Sequence, residues 1–204
     1  MLKKSVSFAL LAALAACKTP GHRNLLLASD FNESKPRSVA VLLFDNQSVD
    51  LLAPEMLRAM TKQHLQEKGY PGPALAAVDE KLHDQGVSDG GQLRALKPME
   101  LGKLLGVDAL LYGYIDEFQF TDIGFGTRKA VRLRLSLIRS EDGARLWQDE
   151  EAESKLSVRE SKDAAERGVI DSTVEKALAN MRKRPLYEQS RIVLDKLFAT
   201  LPRR

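Results

Sequence analysis

Hydrophobic and polar positions follow two different periods along the chain, and each period predicts its own kind of element. Residues 38–44 (SVAVLLF) form an apolar, β-rich run, which is typical of a buried strand. Residues 130–138 (AVRLRLSLI) alternate apolar and polar side chains, as a strand does when one face is buried and the other solvated. Residues 107–120 predict another long strand, and residues 144–156 (ARLWQDEEAESKL) a further one.

Helical periodicity fills most of the remaining chain. Pro54 and Pro98 suit the first turn of a helix, where a missing N–H costs nothing, and Gly69 and Gly86 suit the position just past a helix end. In the first helix His64 shares an apolar face with neighbouring leucine and methionine side chains. The predicted helices are 54–68, 74–85, 98–106, 159–181 and 186–201.

Turn signals join the later strands into a meander. Gly124 and Gly126 separate two of them, and Asp142-Gly143 is a strong hairpin signal before the third. The predicted order is β-α-α-α-β-β-β-α-α. We therefore expect an α/β fold with a single domain, in which helices pack on a mainly antiparallel sheet.

The amino-terminal segment has the pattern of an export signal. Lys3 and Lys4 precede an apolar run from Val6 to Ala16, and small residues lead into a cysteine. Eleven helical residues span about 16 Å, roughly half the hydrocarbon thickness of a bilayer, so the run suits a cleaved signal peptide better than a membrane anchor.

Leu14-Ala15-Ala16-Cys17 matches the lipobox of bacterial lipoproteins, and Cys17 is the single cysteine of the chain. By that resemblance, cleavage falls between Ala16 and Cys17, the sulfur receives diacylglycerol, and the new amino group receives a further acyl chain. Two or three acyl chains give an effectively permanent membrane attachment. The alternative is ordinary secretion, because Ala13-Leu14-Ala15 also fits an A-x-A cleavage site.

These signals divide the chain into a signal peptide (1–16), a lipidated cysteine with its tether (17–37) and a periplasmic α/β domain (38–204). The tether contains Pro20, Gly21 and Pro36, and we expect its three leucines to dock on the domain. The chain has 31 basic and 28 acidic residues, and loss of two lysines with the signal peptide leaves a net charge of +1. That balance excludes a nucleic-acid-binding domain.

Residues 86–90 (GVSDG) fit Gly-x-Ser-x-Gly, the pattern that presents a nucleophilic serine in many hydrolases. Such an elbow needs a strand directly before it and a helix directly after it. The stretch before Ser88 has a helical pattern, and the stretch after it is polar and leads to a proline. We therefore interpret Ser88 as a loop serine and expect no catalytic residue.

Other polar residues also favour ordinary structural roles. His64 fits a packed boundary position, His83 an exposed helix end, and His22 the tether, so we expect neither a metal site nor a cofactor. Gly124-x-Gly126 lies between two strands, which suits a hairpin turn rather than a phosphate-binding loop. Arg132 and Arg134 are expected on the solvated face of their strand, with a partner surface as the alternative. The run Arg182-Lys183-Arg184 is expected at a solvated helix end, with contact to lipid headgroups as the alternative.

The stretches VAVLLFDNQSVDLLAPEMLR and GVSDGGQLRALKPMELGKLLGVDALLYGYI, together with the lipobox, carry a family resemblance over residues 38–150. The chain resembles a bacterial lipoprotein family of the meningococcal surface-antigen type, whose activity is unassigned. Residues 105–113 (LGVDALLYG) are also similar to the curli-secretion lipoprotein and to the amino-terminal domain of TolB. These resemblances imply a binding or assembly module and supply no catalytic residue.

The sequence thus predicts a lipid-anchored envelope protein without enzymatic activity that binds other envelope proteins in a secretion or transport assembly. Lys18, directly after the lipidated cysteine, favours the outer membrane in a cell with two membranes. The domain is expected on the periplasmic face, with surface exposure and homo-oligomer formation left open. The alternatives are a lipoprotein regulator of a cell-wall synthase and a serine hydrolase that uses Ser88.

Overall fold

The structure is a computed structural model of the 204-residue chain, and it describes residues 23–124, 126–158 and 184–204. Its strands are β1 (Arg23–Leu27), β2 (Val39–Val41), β3 (Asp45–Asn46), β4 (Ala109–Asp122), β5 (Gly126–Arg139) and β6 (Arg145–Val158). Its α-helices are α1 (Ala53–Glu67), α2 (Leu75–Asp84), α3 (Pro98–Leu105) and α4 (Tyr187–Thr200), and a 3₁₀ helix spans Gly90–Ala95.

All six strands belong to one sheet, in the order β1-β6-β5-β4-β2, with β3 also paired to β4. β4, β5 and β6 form the antiparallel meander that the turn signals predict, and β1 pairs antiparallel with β6. β2 and β3 run parallel to β4. The predicted α/β class with a mainly antiparallel sheet is therefore confirmed.

Two apolar cores lie on opposite faces of the sheet. The larger one packs α1 and α4 against the face that carries the alternating leucines of β5 and the fully buried Trp147 of β6. The smaller one packs α2 and α3 against β2 and the start of β4, around Leu42 and Leu110. Among the described helices, none has more than slight contact with the second face of β5 and β6, which carries Arg132 and Arg134.

Two glycines allow a close approach to Phe44, one to its backbone and one to its ring. A Cβ on Gly90, in the 3₁₀ helix, would lie 2.3 Å from the carbonyl carbon of Phe44. A Cβ on Gly113, in β4, would lie 2.5 Å from ring atom Cδ1 of Phe44. Phe44 is 3% exposed, so the segment between β2 and β3 is held tightly between its neighbours.

A buried arginine links helices α1 and α2 at the edge strand β2. Arg58 of α1 is 5% exposed, and its Nη2 donates to the carbonyl oxygen of Val41 at 3.0 Å. The same guanidinium forms an ion pair with Asp79 of α2. Burial lowers the pKa of Arg58, and the hydrogen bond with Asp79 opposes that shift.

Several helices end within one or two residues of the positions that the sequence predicts. α2 is followed by Gly86 with φ +76°, and α3 is followed by Gly106 with φ +71°, both in the left-handed region that glycine adopts at low cost. Gly143, with φ +73°, lies in the turn between β5 and β6. The predicted helix over 159–181 lies outside the described residues.

The structure differs from the expected elements in three places. Residues 23–27, expected to belong to the tether, form edge strand β1, and Phe31 is 1% exposed. Asp45 and Asn46, expected in a polar loop, pair with β4. A 3₁₀ helix fills residues 90–95, where no element was predicted. β1 and β3 are fixed by pairing with distant strands, which a local pattern does not record, whereas the 3₁₀ helix begins with a local cap formed by Asp89 and Gln92.

Candidate functional site

The connection between β3 and α1 exposes three large apolar side chains close together in sequence. Val49, Leu51 and Leu52 are 91%, 87% and 53% exposed. Single exposed apolar residues are ordinary on a protein surface, whereas neighbouring ones indicate an interaction site. We call residues 47–52 the apolar loop.

Short-range hydrogen bonds hold the apolar loop in one conformation. Asn46 Oδ1 accepts from the backbone N–H of Ser48 at 3.0 Å and from its hydroxyl at 2.7 Å. Asn46 Nδ2 donates to the carbonyl oxygen of Asp50 at 2.9 Å. Asp50 Oδ1 accepts from the N–H groups of Leu52 and Ala53 at 2.8 and 3.0 Å, at the start of α1. Because the loop is ordered before any partner arrives, binding loses less conformational entropy.

Two further groups of exposed apolar side chains lie elsewhere on the sheet. Leu25, Leu26 and Leu27 of edge strand β1 are 47%, 38% and 45% exposed. Phe120 of β4 and Leu156 of β6 are 47% and 57% exposed, on the parts of these strands farthest from the β5–β6 turn. The leucines of β1 attach to the domain through backbone pairing with β6, while their side chains stay largely open to solvent.

Ser88 lies in an exposed turn between α2 and the 3₁₀ helix. A helix therefore precedes it, where a nucleophile elbow requires a strand. Gln92 Oε1 accepts from the N–H groups of Ser88 and Asp89 at 2.8 and 3.1 Å, and Asp89 Oδ1 accepts from the N–H of Gly91 at 2.7 Å. The glycine-rich turn is thus a capped start of the 3₁₀ helix, and Ser88 lies in a loop as expected.

The 3₁₀ helix places Arg94 beside a buried carboxylate. Asp45 is 5% exposed, and its Oδ2 accepts from Arg94 Nη2. Asp45 Oδ1 accepts from Gln47 Nε2 at 2.6 Å. A buried carboxylate requires such partners, since an uncompensated one is strongly destabilising. The turn around Ser88 therefore stabilises β3.

The histidines have structural environments. His64 lies between α1 and α4, with its ring stacked on Phe198 at 5.0 Å between centroids, which agrees with the predicted boundary position. Its Nε2 is 3.8 Å from Asp195 Oδ1. Burial lowers the pKa of His64, and the charges of Asp195 and Glu67 oppose that shift. His83 is exposed in the last turn of α2, and His22 lies outside the described residues.

The remaining candidates also have structural positions. Gly124, with φ +81°, lies in the hairpin turn between β4 and β5, where the N–H of Ile123 donates to the carbonyl oxygen of Gly126 at 2.9 Å. Arg132 lies on the solvated face of β5 and pairs with Glu150 at 3.3 Å. Of the basic run 182–184, only Arg184 is described, and its Nη1 donates to the carbonyl oxygen of Leu52 at 3.3 Å.

Two kinds of feature are absent from the described residues. Residues 23–124, 126–158 and 184–204 contain no group of three or more His, Cys, Asp or Glu side chains arranged to hold a metal ion. Among the helices of the same residues, none has the length and apolar character needed to cross a membrane.

Residues 28–199 match a protein-family model described as "Putative lipoprotein GNA1162-like". The chain belongs to this family. The family resemblance expected over residues 38–150 is confirmed, and the match extends beyond both ends of that range. The chain is also 27% identical over 169 residues to "Putative lipoprotein NMB1124/NMB1162" of Neisseria meningitidis serogroup B, which covers 83% of this chain and 76% of that protein.

Solved structures share the fold of this GNA1162-like chain. The crystal structure of lipoprotein GNA1162 from Neisseria meningitidis aligns with a TM-score of 0.56 at 23% identity, over 71% of this chain and 94% of that one. A PelC dodecamer from Paraburkholderia phytofirmans aligns with a TM-score of 0.53 at 14% identity, over 89% of this chain and 96% of that one. At these identities the likeness concerns the fold alone.

The sequence did not predict that the apolar loop of this GNA1162-like chain is a surface feature. One signal was available: Val49, Leu51 and Leu52 lie between a polar turn and the helix-opening Pro54, outside the apolar stripe of α1. The sequence alone did not distinguish apolar residues that dock on the domain from ones that face solvent.

Proposed function

We propose that the chain is a non-enzymatic envelope lipoprotein, anchored in the outer membrane through Cys17, whose periplasmic domain binds other envelope proteins. Membership of the GNA1162-like lipoprotein family and the lipobox at Leu14–Cys17 support the anchor. Lys18, in place of an aspartate that would favour inner-membrane retention, supports the outer membrane.

The single observation that carries the binding role is the apolar loop. Val49 and Leu51 are almost completely exposed, and the hydrogen bonds of Asn46 and Asp50 fix the loop that presents them. Exposing such side chains to water is unfavourable, by about 1.5–3 kcal/mol for each large aliphatic side chain relative to full burial. A partner that covers the loop gains that free energy without first ordering the loop.

The sheet order supports a protein partner rather than the anchoring membrane. Only five residues separate Cys17 from β1, and the apolar loop follows β3, which pairs with β4 on the far side of β5 and β6. With neighbouring strands about 4.8 Å apart, the four spacings from β1 to β3 place the start of the loop about 19 Å across the sheet from β1. β1, which follows the lipidated cysteine in sequence, and the apolar loop therefore lie towards opposite edges of the sheet.

The anchor is tested with Cys17→Ser, expressed in the native cell. Serine has no sulfur for the thioether, so the variant should leave the membrane fraction or remain an uncleaved precursor, while wild type stays with the membrane. Intact mass of the wild type should show loss of residues 1–16 and addition of acyl chains. A wild-type chain that begins at Ala16 with a free thiol would contradict the lipoprotein assignment.

The binding role is tested by cross-linking in living cells, followed by capture of the lipidated chain. Leu51→Ser should remove the specific cross-linked partner, because it takes an 87% exposed apolar side chain out of the loop. Leu156→Ser is the matched control, since it makes the same chemical change at a 57% exposed site on β6. If both variants and the wild type captured equal amounts of the cross-linked partner, the apolar loop would be excluded as the binding surface.

The position of Ser88 supports the absence of catalysis, because a helix precedes it and its exposed turn has a capping role. A fluorophosphonate probe provides the test. Labelling of Ser88 in the folded chain, absent after denaturation, would establish a serine hydrolase in place of a binding module.

A further inference from the structure

The face of β5 and β6 on which none of the described helices packs closely contains a pocket that is separate from the apolar loop. It has a volume of about 410 Å³ and lies over β4, β5 and β6, beside the starts of α3 and β6. Small-molecule sites commonly occupy about 300–1,000 Å³. We call it the sheet-face pocket, and the residues used below are Arg94, Tyr112, Tyr114, Arg134, Arg145 and Gln148.

The sheet-face pocket carries positive charge without carboxylates. Three arginines line it, and none of the described residues that line it is an aspartate or a glutamate. The carboxylate that pairs with Arg94 belongs to Asp45, which is buried beneath the 3₁₀ helix. Arg145 is exposed and forms no ion pair with any described residue. An anion in the pocket would therefore meet guanidinium groups; Arg94 and Arg134 also face Asp45 and Asp116, which do not line the pocket, and Arg145 keeps its charge uncompensated by any described residue.

Arg134 is positioned by an aromatic ring rather than by a carboxylate. Its guanidinium carbon lies 4.8 Å from the centroid of Tyr114, which fixes the plane of the group. Its Nη2 is 3.7 Å from Asp116 Oδ1, too far for a hydrogen bond. Its Nε is buried and has no hydrogen-bond partner among the described residues. The ring thus holds the group in place, and its terminal nitrogens, which form no hydrogen bond with a described residue, are the donors that a carboxylate or phosphate could use, whereas the buried Nε is out of reach.

Neutral donors lie beside the arginines. Burial raises the pKa of Tyr112 to about 12, so its hydroxyl remains protonated at neutral pH. Gln148 Oε1 accepts from the hydroxyl of Ser136 at 3.1 Å, and the amide nitrogen of Gln148 has no partner among the described residues. Hydroxyl and amide groups of this kind match the hydroxyl groups of a polyol, which both donate and accept hydrogen bonds.

The apolar part of the lining is small and does not form a slot for a planar base. Ile138 and Pro98 supply the aliphatic contacts, and one face of the Tyr114 ring is occupied by Arg134. Such a lining suits the C–H face of a saturated ring. We propose that the sheet-face pocket binds an acidic sugar, that is, a sugar unit carrying a phosphate or a carboxylate. This site is independent of the proposed function, because it shares no residue with the apolar loop.

The test is isothermal titration calorimetry of the full chain in non-ionic detergent, at low ionic strength. Four probes separate the contributions: glucose 6-phosphate, glucuronate, neutral glucose and inorganic phosphate. The proposal expects binding of both acidic sugars in the submillimolar range, at least tenfold weaker binding of inorganic phosphate, and no measurable binding of glucose. Equal affinity for inorganic phosphate and glucose 6-phosphate would overturn the sugar assignment, and absence of binding by both acidic sugars would overturn the site.

Substitutions locate the binding to the pocket. Arg145→Gln removes an exposed guanidinium without disturbing the core, and it should lower the affinity for both acidic sugars at least fivefold. Arg134→Gln should lower the affinity for both sugars further, because it removes the guanidinium that Tyr114 holds. The matched control is Arg191→Gln, which makes the same change on the exposed surface of α4. An affinity that is unchanged in Arg145→Gln and Arg134→Gln, or that falls equally in all three variants, would exclude the pocket.

Discussion

Gly90→Ala should be the most damaging conservative change in the glycine-rich turn. A Cβ at this position would lie 2.3 Å from the carbonyl carbon of Phe44 and 2.4 Å from the amide nitrogen of Asp45. Both are backbone atoms, so the 3₁₀ helix must move away from β3. That movement also separates Arg94 from the carboxylate of Asp45, which is 5% exposed.

The magnitude follows from these two effects. Overpacking a tight interior costs about 1–3 kcal/mol, and leaving a buried acceptor without its partner costs about 1–3 kcal/mol. Because Gln47 still donates to Asp45, we expect the free energy of unfolding to fall by about 2–4 kcal/mol rather than by the full sum. This is a large share of the stability of an ordinary domain, about 5–15 kcal/mol.

Urea unfolding measures the effect through the fluorescence of Trp147, the single tryptophan, which is fully buried. With a slope of about 2 kcal/mol per molar urea, the unfolding midpoint of Gly90→Ala should fall by about 1–2 M.

Two controls lie in the same turn. Ser88→Ala should stay within about 0.5 kcal/mol of wild type. In Gly86→Ala the free energy of unfolding should fall by about 1–2 kcal/mol, from the strain of the left-handed backbone alone, since a Cβ at this position meets nothing within 4 Å. A Gly90→Ala midpoint equal to that of wild type would refute the close contact with Phe44.

Two further predictions concern buried charged and titratable groups. Because burial lowers the pKa of His64, the folded chain binds fewer protons there than the unfolded chain. The stability that this difference contributes is present above the unfolded pKa of about 6.5 and is lost as the pH falls through the folded pKa. The urea midpoint should therefore drop more between pH 7 and pH 5 in wild type than in His64→Gln, and an equal drop would contradict the buried environment. Arg58→Met should lower the free energy of unfolding by about 1–3 kcal/mol, because the carbonyl oxygen of Val41 loses its donor. Asp79→Asn should cost at least as much by the same assay, because it leaves the buried guanidinium of Arg58 without its counter-charge, and a clearly smaller loss in Asp79→Asn would contradict this order.

The meander and the helix ends could be predicted from the sequence because their signals are local. Alternation along β5 records which face of the strand is buried, and Asp142-Gly143 encodes the turn that follows it. Gly86 and Gly106 mark helix ends because only glycine adopts a positive φ without strain.

β1 and β3 could not be predicted in the same way. β1 is held by backbone pairing with β6, and its leucines show no alternation because neither face is fully covered. β3 has two residues, fewer than any periodicity needs, and it depends on β4 and the 3₁₀ helix.

The candidate sites depend even more on distant contacts. The apolar loop is recognisable only when the exposure of Leu51 is known, because the same letters would suit a docked loop. The sheet-face pocket combines residues from the 3₁₀ helix and from three strands, and no segment of the sequence contains more than a few of them. The alternation of Arg132 and Arg134 predicted a solvated face but not that Tyr114 would orient one of these arginines.

The contacts of Phe44 restrict how related sequences can vary. The atoms that a Cβ at position 113 would meet belong to the ring of Phe44. A smaller residue at position 44 would therefore make room for alanine at position 113, and the two positions should change together. At position 90 the neighbouring atoms belong to the backbone of residues 44 and 45, and no replacement of either side chain removes them. Among members of the family, position 113 should therefore covary with position 44, whereas position 90 should remain glycine whichever residue occupies position 44.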